Sequence, residues 1–163
     1  PAFPTYTPIP EHQTMDKDDL HLTTYKVAVH THSRTAHCKW LSEIKHDNPA
    51  WINSKTAAAR GIKDGDRIKV RSDIGEITTT AHVTEGIIPG VIAISHHFGR
   101  KHSGIYGSGK KSPTTLAQSS DPDANNIWWD KHGQHPNSII PNSSDPISGG
   151  QRWMDTVVKV SKA

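Results

Sequence analysis

The chain has 163 residues, enough for one domain with a real core, yet only 33% of them are apolar, and 12 Gly and 11 Pro interrupt the rest. That mix favours a loop-rich β protein over a helical bundle, which needs more Ala, Leu and Glu. Nineteen basic against sixteen acidic side chains give a net charge of +3, too mild to argue for nucleic acid or a membrane surface, while histidine stands out at 12 residues. A single cysteine excludes an internal disulfide, and no apolar run is long enough to cross a bilayer as a helix.

Residues 1–19 open with "PAFPTYTPIPEH", lack a starting Met, and read as an extended Pro-rich linker from a longer polypeptide. "LHLTTYKVAV" (20–29) mixes β-branched and apolar residues and predicts a strand. "AWIN" (50–53) predicts a short strand, followed by a helix of about two turns with Ser54 as N-cap and Gly61 as its stop. "DGD" (64–66) turns the chain into a strand over 67–72, and Asp73–Gly75 closes a hairpin with 76–83. "EGIIPG" (85–90) leads into a strand over 91–95, and "RWMDTVVKV" (152–160) predicts the last one. Strands this short, with one small helix, predict a closed or partly closed barrel, because closure removes exposed edges. From about residue 98 to 136 no periodicity is visible, and a loop that long in a compact domain is functional or disordered.

Polar chemistry concentrates in "HTHSRTAHCKW" (30–40). His30 and His32 share one face of a strand end, and His96 and His97 follow another strand. Zinc needs four convergent ligands at a recognisable spacing, and neither H-E-x-x-H nor C-x-x-C is present. Cys38 has His37 beside it, but neighbours on a strand point apart, so a buried, inert thiol is the simpler reading. "GIYGSGKK" (104–111) falls one residue short of a P-loop, with Lys111 where a hydroxyl should hold magnesium, and Gly107-Ser108 resembles a self-cleaving pyruvoyl pair away from any strand. Anion binding suits the cluster better: Arg34, the hydroxyls of Thr31, Ser33 and Thr35, and free backbone N–H groups converge naturally on phosphate. A solvated polar loop is the competing reading.

Three stretches, "LTTYKVAVHTHSRT", "INxxTAxxxGIxDGDxIxVxSxxGxI" with "VTxGIxPGV", and "HPNSIIPNSSDPISGGQRWMDTVVKV", together resemble the C-terminal domain of molybdopterin oxidoreductases. These are catalytic subunits of the dimethyl sulfoxide reductase family, and "HTHSRTAHCKWLSEIKHDNPAWIN" looks closest to polysulfide, thiosulfate and tetrathionate reductase-like members. The resemblance implies a mainly β fold over 20–163, a six-stranded double-psi β-barrel with one or two short helices and long loops. It implies a cofactor too, bis-molybdopterin guanine dinucleotide carrying molybdenum or tungsten.

Particular residues inherit roles through it. Lys26 stands where many relatives carry Arg in Thr-Gly-Arg, keeping a cation with different geometry. His30, Thr31, His32, Ser33, Arg34 and Thr35 match the segment that wraps pterin and pyrophosphate, although Arg34 replaces a frequent Gly. His96 and His97 match a turn that approaches the cofactor, Asn137 a cofactor-facing Asn, and Gln151 and Arg152 lie near a further contact. Trp128 and Trp129 have no counterpart. The family's metal-ligating residue and any iron–sulfur ligands lie in other domains, so this chain alone is expected to be catalytically silent. The implied partners are the remaining domains of the catalytic subunit and an iron–sulfur electron-transfer subunit; the parent enzyme, periplasmic or cytoplasmic, would be membrane-associated through a partner subunit, and nucleic acid and direct membrane insertion are not implied. A stand-alone His-rich metal-binding module and a non-enzymatic interaction barrel are the alternatives.

Overall fold

A computed structural model describes residues 3–36, 38–99 and 133–163. The near-P-loop stretch, the Gly107-Ser108 pair and the two tryptophans at 128 and 129 lie outside the described residues.

Six strands form a closed barrel: β1 (Leu20–Tyr25), β2 (Ala50–Ile52), β3 (Arg67–Arg71), β4 (Glu76–Val83), β5 (Val91–Ser95) and β6 (Thr156–Lys162). Around the barrel the order is β1-β5-β2-β4-β3-β6, with β6 pairing back onto β1. The 67–83 region forms the expected hairpin, with Val70 opposite Ile77 and Ile68 opposite Thr79. Strict alternation explains it: β3 turns Ile68 and Val70 inward and Arg67, Lys69 and Arg71 outward. The β1–β5 and β2–β4 pairs are parallel, which requires the chain to cross over between them. The six-stranded, mainly β barrel expected from the resemblance is therefore present. Its interior is filled by Leu20, Leu22, Ile52, Ile68, Ile92, Ile94 and Val158, all fully buried, with Ile139 and Ile140 packed in from the C-terminal segment.

Several boundaries depart from the sequence reading, three of them for a hydrogen-bonding reason. β1 ends at Tyr25 instead of residue 29, because the Val27 N–H leaves the ladder and donates to His97 Nε2 at 2.8 Å. The helix α3 (Ser54–Ala59) is capped by Asn53, whose side chain accepts from the Lys55 N–H, while the Ser54 hydroxyl is drawn to Glu85. β6 begins at Thr156, since Arg152 and Asp155 pair with each other at 2.9 Å instead of entering the sheet. Two short helices were not foreseen, α1 (Pro10–Gln13) and α2 (Lys39–Ile44). The segment around α1 lies against the barrel: Glu11 meets Arg152 at 2.9 Å, and His12 Nε2 donates to the Asp155 carbonyl.

The C-terminal segment is fastened by Asn48, which is buried. Its amide donates to the Ser95 and Gln134 carbonyls at 2.7 and 2.8 Å, and its oxygen accepts from the Gln134 N–H at 2.7 Å. Backbones then approach so closely that only glycine fits: a Cβ on Gly99 would lie 2.1 Å from the Gln134 carbonyl carbon. Gly149 also has positive φ but open space around it, so comparing the two separates backbone strain from collision. Gly149→Ala should cost about 1–2 kcal/mol in urea unfolding, the left-handed penalty alone. Gly99→Ala should cost roughly 2 kcal/mol more, from forced displacement of backbone. Equal losses would contradict the close approach.

Candidate functional site

Because β1 and β5 run parallel with Tyr25 opposite Ser95, their carboxyl ends leave the barrel side by side. Lys26 and His96 are the next residues, so the crevice beyond two parallel strand ends begins with an ammonium and an imidazole. The chain after Lys26 folds back in turns, with the His30 N–H donating to the Val27 carbonyl and the Arg34 N–H to Thr31. His30 is buried and fully engaged. Its Nε2 lies 2.6 Å from the Lys45 carbonyl and must donate there, so its Nδ1 accepts from the Thr35 hydroxyl at 3.1 Å. That hydroxyl in turn accepts from the Thr31 N–H at 2.9 Å. His32 has φ +47°, an uncommon value for a residue with a side chain, and its ring centroid sits 5.1 Å from that of His96.

The result is a cavity of about 340 Å³. It is lined by polar side chains, Lys26, His32, Ser33, His96, His135, Asn137 and Thr24, together with aromatic and apolar ones, Tyr25, Phe98, Trp153 and Met154. Met154 is held by the Thr23 hydroxyl, which donates to its Sδ at 2.8 Å. Of the residues anticipated from sequence, Lys26, His32, Ser33, His96 and Asn137 are brought together here. His30, Thr35 and His97 stand behind this lining and hold it. Thr31 and Arg34 are exposed and do not line the cavity. Gln151 and Arg152 lie elsewhere: Gln151 donates to the Pro141 carbonyl at 3.1 Å, and Arg152 is committed to Glu11 and Asp155. Tyr25, Phe98, His135, Trp153 and Met154 were missed. The "WMD" run was read as strand, which concealed two exposed apolar side chains at the cavity rim.

Burial governs protonation here. His97 is fully buried, and burial, reinforced by the charges of His96, His30, His32 and Lys26, pushes it down to about 4. His96 is lowered too, first by burial and then by His32 and Lys26. Tyr25 is pushed up to about 12 by burial and by Asp47, so its phenol keeps its proton. At neutral pH His96 and His97 are therefore uncharged, and Lys26 carries the formal positive charge. Among the described residues no group of three or more His, Cys, Asp or Glu side chains converges to hold a metal ion. The rings of His32, His96 and His97 meet edge-on or tilted; both His30 nitrogens and His97 Nε2 serve backbone and hydroxyl groups, while His96 Nε2 and His97 Nδ1 are buried without a hydrogen-bond partner among the described residues. Cys38 caps α2 and is half-buried, with its N–H on the Thr35 carbonyl.

A closed barrel with a cavity of mixed polar and aromatic lining beyond two parallel strand ends has the form of a ligand-binding domain. A profile of the family described as "Molydopterin dinucleotide binding domain" matches residues 20–157. The thiosulfate reductase molybdopterin-containing subunit PhsA of Salmonella typhimurium is 32% identical over 133 residues, 82% of this chain and 15% of that protein. Dimethyl sulfoxide reductase DmsA of Haemophilus influenzae is 36% identical over 83 residues, 50% of this chain and 10% of its own length. Acetylene hydratase from Pelobacter acetylenicus shares the fold, with a TM-score of 0.63 at 17% identity over 88% of this chain and 18% of that one. The chain belongs to the molybdopterin dinucleotide-binding domain family, within the molybdoenzymes of the dimethyl sulfoxide reductase type. It spans about 15% of the length of the first of these relatives.

The neutral state of His97 has a measurable consequence. An unfolded histidine titrates near 6.5 and the folded one near 4, so the unfolded chain takes up the proton first as pH falls. The stability linked to His97 is complete above about pH 6.5 and is lost progressively towards pH 4, with a slope of at most about 1.4 kcal/mol per pH unit. His97→Gln retains an acceptor for the Val27 N–H without titrating. Urea unfolding at pH 7, 6 and 5 should show a shallower decline for the variant, and identical declines would contradict the assignment.

Proposed function

We propose that this chain serves a larger molybdenum or tungsten oxidoreductase by holding part of a bis-molybdopterin guanine dinucleotide cofactor in the cavity beyond β1 and β5. The observation that carries this reading is the cavity's mixed lining beyond two parallel strand ends, a cation and hydrogen-bonding side chains together with flat apolar ones. That donor set fits a phosphorylated pterin. Lys26 supplies the charge for a phosphate, and Ser33 and Asn137 offer groups that donate and accept at a heterocycle's edge. Trp153, Tyr25 and Met154 provide the surface against which a planar ring system packs. His96, kept uncharged by burial, can accept from a ring N–H or donate to a ring acceptor without competing for the phosphate.

When bound, the cofactor supplies redox chemistry at its dithiolene-held metal. This chain's residues contribute binding, orientation and exclusion of water. Among the described residues no three His, Cys, Asp or Glu side chains converge to hold a metal ion, and on this reading the isolated chain would not turn over substrate. The cavity's volume is near the lower end of the roughly 300–1,000 Å³ typical of drug-sized ligands, whereas a dinucleotide is larger than one such ligand. Part of the cofactor would therefore be covered by other domains of the same catalytic subunit, with an iron–sulfur subunit as the electron-transfer partner.

Two substitutions test the assignment of the cavity in the complete enzyme, by measuring guanine nucleotide released from the purified protein. Lys26→Glu should lower retained cofactor about tenfold or more, the effect of losing a charge-assisted contact worth roughly 1.5–3 kcal/mol. Gln151→Ala, outside the cavity, should leave retention unchanged. The reverse pattern would move the cofactor to the 144–152 loop and overturn the reading.

A further inference from the structure

The helix α2 is built the wrong way round for an isolated domain. Its fully buried residue is Ser42, while Trp40 and Ile44 are 79% and 68% exposed. Positions four apart lie on one face of a helix, so the two side chains form a single outward apolar strip. In a chain that is only 33% apolar, leaving a tryptophan and an isoleucine together in water while a serine occupies the inside is a costly arrangement unless something covers the strip.

α2 is also stitched to the loop that forms the cavity. The Ser42 hydroxyl donates to the Ala36 carbonyl at 2.8 Å, and the Cys38 N–H donates to Thr35 at 3.0 Å. At the other end, the Lys45 carbonyl that ends the helix accepts from His30 Nε2. Those three bonds bracket His32 and Ser33, the loop residues that face the ligand. Any rigid-body shift of α2 is transmitted to them through His30 and Thr35.

We propose that the Trp40–Ile44 face of α2 is the docking surface for the rest of the catalytic subunit's own polypeptide, and that this contact sets the position of the 30–36 loop against the cofactor. The occupant follows from two observations. The curated relatives are several times longer than this chain, which spans 15% of the thiosulfate reductase subunit, so most of a catalytic subunit lies outside these residues. The cavity, as the described residues line it, is small beside a whole dinucleotide, so the cofactor reading leaves ligand surface for a further stretch of polypeptide to cover. The inference rests on the cofactor reading above for its second half; the docking face stands on the first.

The test places the photo-crosslinker p-benzoylphenylalanine at position 40 in the complete, cofactor-bearing subunit and identifies the products by mass spectrometry. The same residue at Ile88, which is 70% exposed, serves as a surface control of similar accessibility. The proposal expects crosslinks from position 40 within the same polypeptide, to residues outside the 163 described by this sequence. Crosslinks to a second copy of the subunit or to a different subunit, or no crosslink at all, would overturn it. Cofactor content of the same sample is read separately through released guanine nucleotide. A subunit that retains cofactor but gives no crosslink removes the docking face and leaves the cavity assignment standing. Loss of Lys26 dependence with crosslinks intact does the opposite.

Discussion

Asn48 is 1% exposed, and its carboxamide directs every polar atom at backbone: two carbonyls, Ser95 and Gln134, and one N–H, that of Gln134. Through it the end of β5 and the segment leading to Asn137 are held at a fixed spacing, so two stretches that line the cavity, at His96–Phe98 and His135–Asn137, depend on one side chain. Each of those bonds is worth about 1 kcal/mol net, but leaving its partners buried and unpaired would cost roughly 1–3 kcal/mol apiece. Gly99 and Gly133 permit the contact; a Cβ on Gly133 would lie 2.6 Å from the Asn48 side-chain oxygen. The cavity is thus a consequence of how the segment from Gly133 packs onto the end of β5, as much as of the strands themselves.

The histidines that dominate the composition divide by burial. His30 and His97 work as hydrogen-bonding struts, one carrying the Lys45 carbonyl and the Thr35 hydroxyl, the other receiving the Val27 N–H. His32 and His96 remain at the cavity surface. A metal site would need several such nitrogens free and convergent; both His30 nitrogens and His97 Nε2 are committed to the loop, and among the described residues no three His, Cys, Asp or Glu side chains converge. The same commitment makes the site acid-sensitive, since protonating His97 would turn its Val27-facing acceptor into a donor.

Much of the barrel was legible because its signals are local. Alternation in "RIKVR" and "EITTTAHV" and the Asp-Gly turns mark strands without reference to the rest of the chain. What was not legible depends on partners far along the sequence. Nothing near Val27 announces that its N–H will meet a histidine 70 residues away, so β1 was drawn four residues too long. α2 escaped notice because its apolar strip faces outward and gives no core-directed pattern. The dense polar run at 30–35 supplies two residues of the cavity lining, His32 and Ser33, and which of its side chains reach the cavity goes with the left-handed turn at His32 and the burial of His30. Trp153 and Met154 could have been found from their neighbours: Arg152 and Asp155, three apart and of opposite charge, pair with each other and free the pair between them from the sheet.

The most direct measurement is an amide NMR titration of this chain with GDP and, separately, with a pterin phosphate. The account predicts saturable shifts confined to the cavity, at residues 24–26, 32–33, 96–98, 135–137 and 153–154, in at least one titration. Shifts that avoid those amides and gather instead around the other cleft, between residues 11–19, 71–73 and 157–159, would contradict it. So would two titrations that leave the cavity amides unmoved.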